Sequence, residues 1–299
     1  MAAFHTLTFD GVDLSVRVTG QPDGPGVLLC DGIGCDGYIW RYLRPALEAR
    51  CKVVHWHYRG HGQSGLPPQG VSTAGLATLT IEQTSRDAQR VLDAAGLDQA
   101  VLIGHSMGVQ VILQLAHDAP ERVKALVAVC GAFERPLDTF HNTDLGHQIL
   151  PLLTGAAFRF PAPLRRFWQR TVPTEMAWRL ATATEINGQL IARDDFLPYL
   201  QHLARMDPLV FLAFLQAASD HSARTWLRSL PMPTLVFAGD RDHFTPKHLQ
   251  EQMSLLLPDA ELCLMPGGSH AAPLELPELL ELRLEAFSQQ RGLGLLGPV

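Results

Sequence analysis

The chain has 299 residues, a formal net charge of −6, 46% apolar residues and 18% charged residues. With no low-complexity tract, no charge block and no run approaching ~18 consecutive apolar residues, extensive disorder and a membrane-spanning helix are both excluded as readings. The mild acidity, 30 acidic against 24 basic residues, argues against a nucleic-acid partner, which favours a basic face.

Phe4–Asp10 and Val12–Thr19 alternate apolar and polar residues around Gly11, which predicts a hairpin. The same N-terminal stretch lacks a basic region followed by an apolar core. No secretory signal is visible, and a cytoplasmic protein is expected. The five cysteines, Cys30, Cys35, Cys51, Cys130 and Cys263, are an odd number without a CxxC pair. They read as reduced thiols in or near the core.

Short, nearly continuous apolar runs follow at Gly26–Asp31, Cys51–His57, Ala100–His105, Val123–Cys130 and Pro233–Gly239, with a weaker one at Ala260–Met265. Such runs suit parallel strands covered on both faces. Helical patterns separate them. Ile81, Ala88, Val91, Leu92 and Ala95 mark one helix face that stops at Gly96. Ile112, Leu113, Leu115 and Ala116 mark a helix that ends before Pro120. Thr245 followed by Pro246 reads as an N-cap with proline at the first helical position. A last helix is expected over about Pro277 to Gln290, and the tail Arg291–Val299 reads as frayed.

Alternating strands and helices imply a mostly parallel, doubly wound α/β sheet with right-handed crossovers. The alternation breaks once, between Gly131 and Pro233. An interval that long is not a plain loop. Its helical stretches are broken by Pro151, Pro161, Pro163 and Pro173, and it holds eight of thirteen Phe and three of five Trp. It reads as a helical cap over residues 133–229, inserted into a core formed by 1–132 and 230–299. The aromatic residues serve the cap's own core, an apolar face turned to the site below, or both.

Gly104-His105-Ser106-Met107-Gly108 fits G-x-S-x-G, follows an apolar strand and opens a helix. A nucleophile at so sharp a turn has strained backbone angles, and neighbours with side chains would collide, hence Gly104 and Gly108. The Met107 N–H at the helix start points toward developing negative charge.

From this point the chain resembles the α/β-hydrolase superfamily, as a serine-nucleophile, esterase- or lipase-like member with a helical cap. Further segments carry the resemblance: Leu28–Gly34, Tyr58–Ser64 (YRGHGQS), Pro120–Val123, Gly239–Asp242 followed by Pro246, and Gly267–His270. The order Ser…Asp…His is the one this fold uses. The resemblance implies Ser106 as nucleophile, His270 as its base and a carboxylate that orients the imidazole. Asp242 holds the family spacing. Asp240 is the alternative acid, and strand parity does not separate the two. Glu134, after the sixth strand, is a remote substitute. The implied oxyanion donors are the N–H groups of Ile33 and Met107. Where the family commonly has His, this chain has Asp31, which is expected to point away and bond loop amides.

His55, His57 and His61 invite a metal reading. With no acidic or cysteine ligand beside them, they read as structural, and neither a metal nor a cofactor is expected. Arg159, Arg165, Arg166 and Arg170 form a basic run that is either a solvated helix face or a contact for an anionic substrate group.

The expected activity is hydrolysis of a carboxylic ester of a small, largely apolar substrate through an acyl-enzyme. A serine at position 106 argues against epoxide hydrolase and haloalkane dehalogenase chemistry. Lactone opening, carbon–carbon bond hydrolysis, perhydrolysis, an aminopeptidase and a non-catalytic ligand-binding protein remain open. A small-molecule partner is expected, with the chain a monomer or homodimer.

Overall fold

The computed structural model describes residues 4–136 and 145–297. Eight strands form one sheet: β1 (His5–Phe9), β2 (Val12–Gly20), β3 (Gly26–Cys30), β4 (Lys52–Trp56), β5 (Ala100–His105), β6 (Val123–Val129), β7 (Thr234–Gly239) and β8 (Ala260–Met265). Their order is β1-β2-β4-β3-β5-β6-β7-β8. β1 and β2 are antiparallel to their neighbours, and every pairing from β4 to β8 is parallel. The hairpin turns at Asp10 and Gly11, both at positive φ (52° and 72°), as a type I′ turn demands.

The helices of the sheet's two faces are α1 (Leu43–Glu48), α2 (Thr73–Leu76), α3 (Ile81–Ala94) and α4 (Met107–Asp118), then α10 (Lys247–Leu256), α11 (Ala272–Glu275) and α12 (Pro277–Gln290). Between β6 and β7 lie α5 (Leu145–Arg159), α6 (Pro161–Thr171), α7 (Glu175–Thr184), α8 (Arg193–Arg205) and α9 (Pro208–Asp220).

Strand alternation sorts the core into two layers. Leu28, Val54 and Leu102 face Val91 of α3 and Ile112 of α4. Val27, Leu29, Val53 and Ile103 face Leu47 of α1 and Leu284 and Phe287 of α12. Each such fully buried aliphatic side chain contributes roughly 1.5–3 kcal/mol of transfer free energy.

The topology positions the site. From β3 the chain crosses to β4 on one side and later to β5 on the other. The loops after β3 and β5 therefore leave the sheet at a switch point, where a crevice opens beyond the strand ends. Register pairs Cys30 with Gly104, so those two loops start side by side.

Three expectations change in detail. Pro151 lies within α5 rather than breaking it. The N-cap of α10 is Pro246, which frees Thr245 for another role. The tail is docked as far as it is described: Leu295 is fully buried, its N–H bonds Ser288 Oγ at 2.8 Å, and its carbonyl accepts the Cys51 thiol at 3.2 Å. Pro298 and Val299 lie outside the described residues, as do 137–144 of the expected cap, Phe140 among them.

Candidate active site

Ser106 stands between β5 and α4 with φ 55° and ψ −121°. A non-glycine residue there costs about 1–3 kcal/mol and persists only when its surroundings over-determine it. Two backbone bonds do so: Ser106 N–H donates to the Val129 carbonyl, and the Ser106 carbonyl accepts from Val109, both at 3.0 Å. A Cβ on Gly104 would lie 2.4 Å from the Gly108 carbonyl oxygen, and one on Gly108 would lie 2.2 Å from that of Cys30. Gly131, which sequence reasoning missed, is under the same constraint, 2.5 Å from the Ser106 carbonyl oxygen. Its place directly after the β6 run was the available signal.

Ser106, His270 and Asp242 are brought together. His270 Nε2 lies 2.9 Å from Ser106 Oγ, and its Nδ1 lies 3.0 Å from Asp242 Oδ2. Asp242 is buried, and its other oxygen accepts the N–H groups of Phe244 (3.0 Å) and Thr245 (2.8 Å). The Thr245 hydroxyl sits 2.8 Å from Asp242 Oδ2 and 2.9 Å from the Cys130 carbonyl oxygen. Burial works against a charged His270. The Asp242 carboxylate and its hydrogen bond, with Glu185 and Glu275 further off, outweigh that and raise the imidazole pKa above its ordinary 6.5.

The other two acids point elsewhere. Asp240 is exposed and accepts the Gly267 N–H at 2.7 Å, so it braces the turn before His270. Glu134 binds Arg224 and Ser222.

Ile33 and Met107 both line a narrow recess beside Ser106. Met107 opens α4, so its N–H has no intrahelical acceptor. The Ile33 loop is held from beneath. Asp31 turns away from Ser106: its carboxylate accepts the Gly37 N–H and the Trp40 indole N–H, both at 2.7 Å, and lies 2.9 Å from His55 Nε2. His61 Nε2 accepts the Gly34 N–H at 3.0 Å, and His57 Nδ1 accepts the Gln63 N–H at 3.0 Å. Burial pushes both of those imidazoles down to about 4, which keeps them neutral acceptors. The histidine cluster is thus spent on loop positioning, and among the described residues no group of three or more His, Cys, Asp or Glu could hold a metal ion.

Two more positioning residues carried no clear sequence signal. His105 Nε2 donates to the His270 carbonyl at 2.8 Å. Glu275 accepts the Ser269 N–H at 2.6 Å, the Ser269 hydroxyl, and the Asn187 N–H at 2.7 Å. The Asn187 side chain also donates to the Gly267 carbonyl at 2.8 Å, tying the segment after α7 to the His270 turn.

Above Ser106 lies a cavity of about 280 Å³. Its floor includes Ile33, Ser106, Phe244 and His270, and its walls include Phe196, Tyr199, Leu200, Leu203 and Phe211 from α8 and α9. The aromatic residues of the insertion divide accordingly. Phe196 and Phe211 face the cavity, Phe214 packs on Tyr58 and His61, and Phe160 and Phe167 face solvent.

A sequence model of the family described as alpha/beta hydrolase fold matches residues 25–277. The chain belongs to the α/β-hydrolase family. Among its relatives, RutD of Azorhizobium caulinodans, provisionally named a carbamate hydrolase, is 29% identical over 275 residues, 92% of this chain and 94% of that protein. Polyketide synthase ThaQ of Burkholderia thailandensis is 31% identical over 269 residues, 88% of this chain but 12% of that much longer protein. A hydrolase from Pseudomonas aeruginosa PA01 shares the fold with a TM-score of 0.77 at 24% identity, covering 95% of this chain and 97% of the other. This α/β hydrolase is accordingly an enzyme of hydrolysis. No helix among its described residues is long and apolar enough to cross a membrane.

Proposed function

We propose that this α/β hydrolase cleaves a carboxylic ester of a small, largely apolar substrate through a covalent acyl-enzyme, with Ser106, His270 and Asp242 as its triad. The observation that carries the reading is the relay Ser106 Oγ–His270 Nε2 at 2.9 Å and His270 Nδ1–Asp242 Oδ2 at 3.0 Å. Ser106 Oγ attacks the carbonyl carbon while its proton passes to His270 Nε2. Asp242 holds the imidazole with Nδ1 protonated and stabilises the imidazolium that forms. The tetrahedral oxyanion takes hydrogen bonds from the Ile33 and Met107 N–H groups, each worth about 3 kcal/mol in barrier. The carbon–oxygen bond then breaks, and His270 returns the proton to the departing alkoxide. Water, deprotonated by His270, attacks the acyl-enzyme, releasing the acid and Ser106.

The apolar walls of the cavity favour an apolar acyl or alkyl part over a charged one. Residues 133–229 act as the cap that supplies those walls. The five cysteines are free and buried, which fits a reducing, cytoplasmic compartment. A second reading, carbamate hydrolysis through a carbamoyl-enzyme, is favoured by the name of RutD. Turnover of p-nitrophenyl esters of graded chain length, set against a p-nitrophenyl carbamate, separates the two. Ester turnover that rises with acyl length to the limit of the cavity supports the first reading. Selective carbamate turnover replaces it with the second.

A further inference from the structure

Three successive helices of the insertion, α5, α6 and α7, show apolar side chains to solvent. Leu152, Leu153, Phe160, Phe167, Met176 and Leu180 are between 54% and 73% exposed. α6 and α7 contain no buried residue at all. Leu152 and Leu153 lie in α5, Phe160 is the non-helical residue that joins α5 to α6, and Phe167 lies in α6. Met176 and Leu180, four apart in α7, share one helix face. Scattered exposed apolar residues are ordinary on a protein surface, but among the described residues eight of the thirteen large exposed apolar side chains lie between Ile149 and Leu180, and such a concentration marks an interaction site.

Charge says what covers it. Residues 145–184 carry five arginines and one glutamate, a net of +4 in a chain of net −6, which leaves −10 on the rest. Arg165 is paired with Asp207 and Arg179 with Glu175. Arg166 and Arg170 are exposed, each within three residues of Phe167. A second copy docking through the same face would set these arginines against themselves. An anionic surface would be attracted, and apolar side chains interleaved with arginine suit the headgroup–acyl boundary of a bilayer.

We propose that the α5–α7 face docks peripherally on anionic lipid bilayers. α7 also contributes Ala181 to the wall of the cavity above Ser106. Docking would therefore bring the cavity close to molecules dissolved in the membrane. The inference is independent of which carbonyl compound is cleaved.

Flotation of the full chain with vesicles of phosphatidylcholine alone, or of phosphatidylcholine with phosphatidylglycerol, at low and high salt, tests it. The expected result is co-flotation with the phosphatidylglycerol vesicles only, weakening as salt rises. Replacing both Arg166 and Arg170 by Gln should lower partitioning roughly 30-fold, from about 1 kcal/mol per charge. Replacing both Phe160 and Phe167 by Ser should also lower it, while turnover of a soluble short-chain ester stays at the wild-type level. Failure of the wild-type protein to float with phosphatidylglycerol vesicles at low salt would overturn the proposal. So would a solution dimer that the Phe160 and Phe167 replacements dissociate, because a second copy would then be the occupant.

Discussion

The His105 imidazole donates from Nε2 to the carbonyl oxygen of His270 at 2.8 Å. A carbonyl only accepts, so Nε2 carries the proton. Burial and the neighbouring His270 push the His105 pKa down to about 4, which keeps the ring neutral at ordinary pH. The residue beside the proposed nucleophile thus fixes the backbone that carries the proposed base. His105→Phe keeps the ring volume and removes the donor. kcat for a p-nitrophenyl ester should fall about tenfold, with an unfolding free energy lower by about 1–3 kcal/mol. An unchanged kcat would show that His270 is held without this bond.

The two aspartates after β7 predict sharply different outcomes. Asp242→Asn should lower kcat by about 10⁴, because the amide favours the wrong tautomer of His270. Asp240→Asn alters only an exposed brace on the Gly267 N–H, and kcat should stay within a few-fold of wild type. Steady-state kinetics of the pair check this, and the reverse ranking would reassign the acid.

With His270 as the proposed base, which takes a proton only when neutral, and with its pKa raised, the pH profile of kcat/KM should show an acid limb above 6.5. In Asp242→Asn the carboxylate that raises it is gone, so the residual activity should have its acid limb at lower pH. An acid limb that does not move would separate it from His270.

Stability should depend on pH with a definite sign. His57, His61, His105 and His221 are buried with pKa values pushed down to about 4, against 6.5 unfolded. Between those limits the unfolded chain binds more protons. Stability is therefore full above pH 6.5 and is lost as pH falls toward 4, by about 2 kcal/mol for each histidine at pH 5. The raised pKa of His270 opposes this as a single group. Tm should fall steeply between pH 7 and 5, and a flat Tm across that interval would contradict the neutral-histidine account.

Arg59 grips Asp87 with two hydrogen bonds of 2.7 Å, both side chains buried. This pair ties the turn after β4 to α3. Arg59→Leu would leave the Asp87 carboxylate buried without its cationic partner, with the Gln83 amide at 3.0 Å as its remaining donor, and should cost about 3–5 kcal/mol by denaturant unfolding. A loss below 1 kcal/mol would mean that water reaches the carboxylate.

Much of this was legible because it rests on local rules. The parallel strands are short aliphatic runs, and the Ser106 elbow is a five-residue pattern whose glycines have no room for a Cβ. Asp242 and Asp240 were not separable, because regular alternation ends with β7 at Gly239. Beyond it, Asp242 is turned inward by the N–H groups of Phe244 and Thr245, while Asp240 is drawn to Gly267. Thr245 read as a helix cap because it precedes proline, yet its hydroxyl serves Asp242 and the Cys130 carbonyl. Glu275 and His105 act across sequence separations that no local pattern encodes. The glycine-rich tail read as frayed because glycine count says nothing of Leu295, which finds a buried site beside Cys51.

The most direct test of the proposed mechanism is mass spectrometry of the intact protein after exposure to a fluorophosphonate. The account predicts one covalent adduct per chain, located on Ser106, absent in Ser106→Ala and formed far more slowly in His270→Ala. No adduct on the wild-type protein, or an adduct that persists in Ser106→Ala, would contradict it.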